Sequence, residues 1–423
     1  MKTPFTGFQC SLCGHEYLPH QVTYTCPVDG GNLDVILDLD DIRRRFQPED
    51  FTCRAQDSLW RYLPLLPVSD PGGEGTPLKA AGWTPVFSPP LLAEKYGLRH
   101  FFIKDESYNP TGSFKDRASA VVVARAYEIG AWNRKSESPT IVTASTGNAG
   151  AALAGMAAAM GCRAIIVAPR SAPPAKVAQL LVYGARVILV NGTYDDAFDL
   201  TIQAAQEFNW YCRNTGYNPF TAEGKKTAAF EIWEWSKQQA ELSGLASLTI
   251  FVPVGDGNII SGLYKGFQDL QGMGWINDLP RLIGVQAEGS AAVANAFHAG
   301  KNEIVPVTAR TIADSISVDL PRDGLRALRA VRQTGGTCLT VSDSEILAAL
   351  SDLGRAGIFA EPAGAAACAG LIKARQLELV QPGDFILGLN TGSGLKDIRA
   401  AVQATGEAPV IEPELEALRK FAI

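Results

Sequence analysis

The sequence predicts an α/β protein with mainly parallel sheets, built as two packed domains with a small N-terminal appendage. Short β-branched runs at 141–144, 164–167 and 186–190 alternate with helical patterns at 148–160 and 175–183, and further strands read at 249–253, 282–286 and 385–389. These strands are apolar on both faces, as strands covered by helices on both sides are. Strand–helix alternation of this kind, from about residue 97 onward, is the pattern of parallel sheets. A chain of 423 residues also exceeds what one simple core holds. No internal repeat is visible.

Hydrophobic residues make up 46% and charged residues 19%, an ordinary balance for a well-buried soluble enzyme. The net charge is −6 and there is no basic block, which argues against a nucleic-acid or membrane partner. Any anion bound here is therefore small and held locally. The first seven residues lack the apolar core of a secretory signal. The longest apolar stretches, such as 149–160, are Ala- and Gly-rich and shorter than a membrane span. Eight cysteines in a chain this size do not form a disulfide framework, and Cys53, Cys162, Cys212, Cys338 and Cys368 read as reduced core residues. The expected location is the cytoplasm.

Residues 1–35 stand apart. Cys10-x-x-Cys13 followed by Cys26-Pro-Val-Asp29 has the knuckle spacing of a zinc ribbon, with Asp29 where a complete ribbon has a fourth cysteine. Asp29, His15 or His20 is chemically able to close a tetrahedral structural site; the other reading is a ribbon that keeps its fold without metal. The aromatic stretch 60–67 then suits either a subunit contact or packing on its own domain, and a Pro/Gly-rich linker follows at 70–75.

The densest chemical signal is the string from Lys104 to Arg117. Asn109-Pro110-Thr111-Gly112 is turn chemistry, Ser113 is expected to start a helix, and Lys115 falls just inside it. The positive end of a helix lowers an ammonium's pKa and favours the neutral amine that a Schiff base needs. Three further loops follow strands: Thr143–Gly150, with Ser145, Thr146, Gly147 and Asn148 opening a helix; Val254–Gly262, with Gly255, Asp256, Gly257 and Asn258; and Asn390–Asp397, with Thr391. Free backbone N–H groups at helix starts bind carboxylates and phosphates. One lysine and two anion-binding loops at strand ends make a plausible pocket for a small amino acid on pyridoxal 5′-phosphate (PLP), held as a Schiff base on Lys115.

These motifs resemble the fold-type II PLP enzymes of the tryptophan synthase β superfamily, and among them the threonine synthases, over about residues 80–400 in the same order. The resemblance implies a large PLP domain from 36–117 and 216–423, a small α/β domain from 118–215, and a homodimer. By the same resemblance Ser145, Thr146, Gly147 and Asn148 hold the substrate carboxylate, with Asn148 also near the cofactor's ring oxygen. Gly255, Asp256, Gly257 and Asn258 cradle the cofactor phosphate, and Thr391 meets the pyridine nitrogen. A neutral hydroxyl there does not keep that nitrogen protonated, which suits elimination and replacement better than transamination. Lys115, once released, is the natural base for the α-proton.

The implied reaction is conversion of O-phosphohomoserine and water to threonine and phosphate by β,γ-replacement. The chain departs from the family where the substrate phosphate is read. A serine and an arginine are expected there, and alignment on Asn218-Pro219 and Glu223-Gly224 puts Gly216 and Thr221 in their places. Asp256 also stands where an asparagine is usual. Lys225, Lys226 or Arg117 is the candidate replacement cation, a surface role being the other reading of the two lysines. The rival functions are a serine/threonine dehydratase-like lyase, a β-replacing synthase resembling cysteate synthase, and a catalytically silent PLP-binding regulator.

Overall fold

The computed structural model describes residues 3–52, 56–132 and 138–420; Cys53 lies outside them. The chain first forms an antiparallel sheet from β1 (Phe5–Cys10), β2 (Glu16–Tyr17) and β3 (Leu33–Leu37), in the order β2-β1-β3. It enters a larger sheet with β4 (Val86–Phe87) and β5 (His100–Asp105). It leaves to build a second sheet from β6 (Thr140–Ala144), β7 (Arg163–Pro169), β8 (Arg186–Val190) and β9 (Tyr211–Cys212). It then returns with β10 (Leu248–Pro253), β11 (Arg281–Ala287), β12 (Thr337–Val341) and β13 (Phe385–Asn390).

The larger sheet has the order β12-β11-β10-β13-β5-β4 and is parallel except for the β4–β5 edge; the order β8-β7-β6-β9 is parallel throughout. The α/β reading with mainly parallel sheets therefore holds. Every residue of β10 and β13 is buried, because helices cover both faces. Strands β4, β5, β9 and β12 were not foreseen; two residues, as in β4 and β9, carry no readable period. Among the described residues no helix is long and apolar enough to cross a membrane.

Local chemistry explains how the two sheets are brought together. The Ala- and Gly-rich helix Asn148–Ala159 is buried along most of its length. A Cβ on Gly150 would come within 1.9 Å of the Ser145 carbonyl oxygen, and one on Gly155 within 2.5 Å of Thr111 Cγ2. Glycine thus lets this helix close onto its own preceding loop and onto the turn before Lys115.

The helix that carries Lys115 runs Lys115–Trp132, two residues later than Ser113 was expected to start it. The reason is long-range. Ser113 makes a β-bridge to Gly392, and Phe114 N–H donates to the Thr391 carbonyl at 3.0 Å, so both backbones are tied to the last strand's loop before the helix begins. A buried ionic network then anchors the first turn. Arg117 reaches Glu106 at 2.7 Å and Glu231 at 2.5 Å, and Lys104 reaches Glu231 at 2.7 Å.

The aromatic stretch near residue 60 packs on its own chain. It forms the 3-10 helix Leu59–Leu65, in which Trp60 Nε1–H donates to the Leu78 carbonyl at 2.8 Å and the Tyr62 hydroxyl to Glu234 at 2.5 Å. The N-terminal sheet docks on the segment after β9. Tyr24 stacks on Tyr217 at 4.6 Å and accepts from Cys212 N–H at 2.9 Å, while Asn32 Nδ2 donates to the Gly216 and Arg322 carbonyls. Cys162, Cys212, Cys338 and Cys368 are buried free thiols.

Candidate active site

The carboxyl ends of β6, β10 and β13 open onto a cavity of about 430 Å³, a size that suits a cofactor and a small substrate. Lys115, Ser145, Thr146, Gly147, Asn148, Gly255, Asp256, Gly257, Asn258 and Thr391 all line it. Loops separated by up to 276 positions thus meet in one place, where α/β sheets characteristically bind ligands. Thr146, Gly147 and Asn148 also line an adjoining cavity of about 420 Å³, with Glu361 and Lys396.

Burial lowers the Lys115 pKa below the ordinary lysine value; Arg213 adds to this, while Glu361 and Asp256 oppose it. The neutral amine expected from the helix dipole is thus favoured chiefly by desolvation. The loop after β6 is held by Asn214, whose Oδ1 accepts from Ala144 N–H at 2.8 Å and from the Thr143 hydroxyl at 3.0 Å. Its helix has Gly147 at the N-cap and no side-chain cap, so the first N–H groups remain free for an anion. The Asn148 amide donates to both Glu361 oxygens at 2.8 and 2.9 Å and to Ser315 at 3.2 Å.

The loop after β10 has the form of a phosphate cradle. Gly257 has φ +93°, and a Cβ there would come within 2.8 Å of the Asp323 carbonyl oxygen. A Cβ on Gly255 would meet Ile316 Cα at 2.8 Å. The helix Asn258–Gly272 follows, again without a side-chain cap. Asn258 is fixed between Lys225, which donates to its Oδ1 at 2.7 Å, and Asp323, which accepts from its Nδ2 at 2.8 Å. Burial raises the pKa of Asp256. Thr391 is 1% exposed, and its hydroxyl has no partner among the described residues.

Several side chains in and around the cavity were missed or misjudged. Lys225 and Lys226 are buried rather than on the surface, with different partners: Lys225 lines the cavity, and Lys226 pairs with Glu223 and Asp269. Arg117 is committed to its two glutamates and does not line the cavity, so it cannot serve as the replacement cation. Arg213 and Tyr194 had no motif to announce them; Glu361 was not assigned to the site, although Glu-Pro-Ala-Gly, a helix start with Pro at its first position, marked its place. Gly216 and Thr221 lie outside the cavity lining.

Thr221 is fully buried and its hydroxyl donates to the Asn218 carbonyl at 2.7 Å. Thr221→Arg is therefore expected to cost at least about 2 kcal/mol through overpacking and a buried charge, read as a lower urea midpoint. Wild-type stability in that variant would refute this placement.

In the N-terminal sheet, ligand atoms of Cys10, Cys13, Cys26 and Asp29 lie within 4.8 Å of one another. The Cys10 thiol points at Asp29 Oδ1 at 3.3 Å, and Cys13 and Cys26 sulfurs are 3.9 Å apart. His15 instead stacks on Tyr17 at 4.6 Å, and neither it nor His20 belongs to the group.

Residues 78–392 match the family model described as "Pyridoxal-phosphate dependent enzyme". A threonine synthase of Methanocaldococcus jannaschii is 36% identical over 416 residues, covering 98% of each chain. One of Methanosarcina acetivorans is 36% identical, covering 97% of each. Among solved structures, maize serine racemase aligns with TM-score 0.63 at 24% identity over 76% of this chain and 91% of that one. O-ureido-L-serine synthase aligns with TM-score 0.65 at 19% identity over 82% and 98%. These two likenesses establish the fold alone. The chain belongs to the pyridoxal-phosphate dependent enzymes and, within them, to the threonine synthase family.

Proposed function

We propose that this protein converts O-phosphohomoserine and water to L-threonine and phosphate. The observation that carries this reading is the meeting, in one cavity, of Lys115, the Gly255–Asn258 cradle and the unpartnered Thr391 hydroxyl. The residues fit PLP. The cofactor needs an amine, a phosphate cradle that side chains would fill, and a partner for its ring nitrogen. Lys115, the two glycines and Thr391 Oγ1 answer these needs in turn. The 36% identity with two threonine synthases, over 97–98% of each chain, supports the choice of reaction.

PLP, when bound, supplies an electron sink for charge that develops on the substrate carbons. In this reading Lys115 Nζ takes the α-proton as a neutral amine, a role its lowered pKa serves. The N–H groups from Ser145 to Asn148 hold the α-carboxylate, with the Ser145 and Thr146 hydroxyls beside them. Glu361 positions Asn148 from the far side through its two short hydrogen bonds. Thr391 would meet the ring nitrogen with a neutral hydroxyl, so no formal charge would be fixed there. Overall the Cγ–O bond breaks and phosphate leaves. One Cβ–H bond breaks as well, and hydroxide from water joins Cβ; of the two protons released, from Cβ and from water, one joins Cγ and the other leaves with the phosphate.

The test is a paired assay. Phosphate release from O-phosphohomoserine with equimolar threonine is the expected result. Formation of 2-oxo acid from serine or threonine, without phosphohomoserine turnover, would instead establish a dehydratase-like lyase.

The same reading takes 1–35 as a ribbon, 118–215 as the small domain and the remainder as the PLP domain of a cytoplasmic homodimer; the three separate sheets support the division. It also places a structural zinc ion on Cys10, Cys13, Cys26 and Asp29, a three-sulfur, one-oxygen set that zinc accepts. Elemental analysis is expected to find one zinc per chain, reduced in Cys10→Ser and retained in Asp29→Cys. Metal-free wild-type protein purified without chelator would sink this assignment. Because the ribbon braces the segment after β9 through Tyr24 and Asn32, chelation is further expected to lower the melting temperature.

A further inference from the structure

Arg213 immediately follows β9 and lines the active-site cavity, yet it is 0% exposed. Its Nε donates to Ser119 at 3.1 Å and its Nη1 to Thr215 at 2.6 Å, which fixes the plane of the guanidinium. Nη2 is buried with no hydrogen-bond partner, and no carboxylate lies in ion-pair range among the described residues. The other cations of the cavity differ. Arg322 is paired with Asp195 at 2.6 Å, and Lys225 is bonded to Asn258 in the cradle. A guanidinium taken out of water without a counter-ion is strongly disfavoured, and burial lowers its pKa to about 10. Such a group is accounted for when its counter-ion arrives with a ligand.

Two anions are already provided for. The cofactor phosphate has the glycine loop with Lys225 behind it, and the substrate carboxylate has the N–H groups after β6. The side chains expected to read a further phosphate are absent, since Gly216 offers none and Thr221 is turned to the Asn218 carbonyl away from the cavity. We propose that Arg213, held by Ser119 and Thr215, is the anchor for a tetrahedral oxyanion at the far end of the substrate: the leaving phosphate. This rests on the reaction proposed above and names the residue that selects its substrate. The planar guanidinium suits such an oxyanion better than a lysine ammonium does.

The test uses holoenzyme reduced with borohydride, so that the cofactor and its own phosphate stay in place while inorganic phosphate is titrated by calorimetry. Wild-type protein is expected to bind one phosphate per chain. Arg213→Met is expected to weaken it about 30-fold or more, and Arg213→Lys by less. Both variants should keep wild-type cofactor content, since Arg213 is not assigned to the cofactor. In turnover, both should raise KM for O-phosphohomoserine more than they lower kcat. Unchanged phosphate affinity in Arg213→Met overturns the proposal. So does loss of cofactor from both variants, which would move Arg213 to the cofactor's phosphate. If phosphohomoserine is not turned over but phosphate binding depends on Arg213, the reaction fails and the site stands. If it is turned over but phosphate affinity ignores Arg213, the site fails and the reaction stands.

Discussion

Lys115→Ala is expected to leave a folded protein that no longer holds its cofactor covalently and whose kcat falls by about 10³-fold or more. The replaced group is the amine at the start of its helix in the cavity, where burial favours the neutral form. Borohydride reduction of the wild type should fix the cofactor's aldehyde carbon on Lys115 Nζ and nowhere else. The variant should show neither the absorbance band nor the label. Its stability should not drop, because removing a desolvated amine relieves a cost rather than breaking a pair. A label on another lysine, or activity within tenfold of wild type, would refute the assignment.

Arg117→Met should damage the fold instead of the chemistry. Arg117 is fully buried between Glu106 and Glu231, and Lys104 is the other cation of the group. Removing it leaves two buried carboxylates facing one ammonium, a loss on the order of 3–5 kcal/mol. Urea denaturation of the holoenzyme reads it directly, and a loss below about 1 kcal/mol would refute the network's importance. The network also predicts acid sensitivity. Burial acts to raise the Glu231 pKa, but Arg117 and Lys104 outweigh it and hold the carboxyl below its ordinary value of 4.5. A depressed carboxylate pKa contributes stability that is fully present above the ordinary value and is lost as pH falls through the folded one. Wild-type stability should therefore decline below about pH 4.5, and Arg117→Met should lack this part of the decline.

The chain's readable features are those encoded within a few residues. A turn followed by a helix start announces itself through Asn-Pro, Gly and a capping residue, so the strings around Lys115, Ser145, Gly257 and Thr391 are legible from their immediate neighbours alone. The cavity then gathers them. Periodicity carried six strands of the two larger sheets for the same reason, but not β4 and β5, the short β9 or the half-polar β12. Helix starts were less legible. Ser113 is the residue local chemistry selects, but its backbone is claimed by Gly392, 279 positions away. The paired lysines Lys225 and Lys226 show the limit more sharply. A Lys-Lys dipeptide normally marks a solvated face, and only the packing of their helix against Asn258 and Asp269 buries both and sends them to different partners.

Lys115, its glycine-rich companion loops and the cofactor chemistry they imply were determined by local sequence, because backbone turns and free N–H groups arise from neighbours in the chain. Which side chain awaits the leaving group was decided by the folded packing. Arg213 sits beyond a two-residue strand, just outside the motif that follows it, and its meaning lies in being buried, held by Ser119 and Thr215, and left without a counter-ion. Burial and the absence of a partner belong to the whole fold, so no stretch of sequence could have carried them.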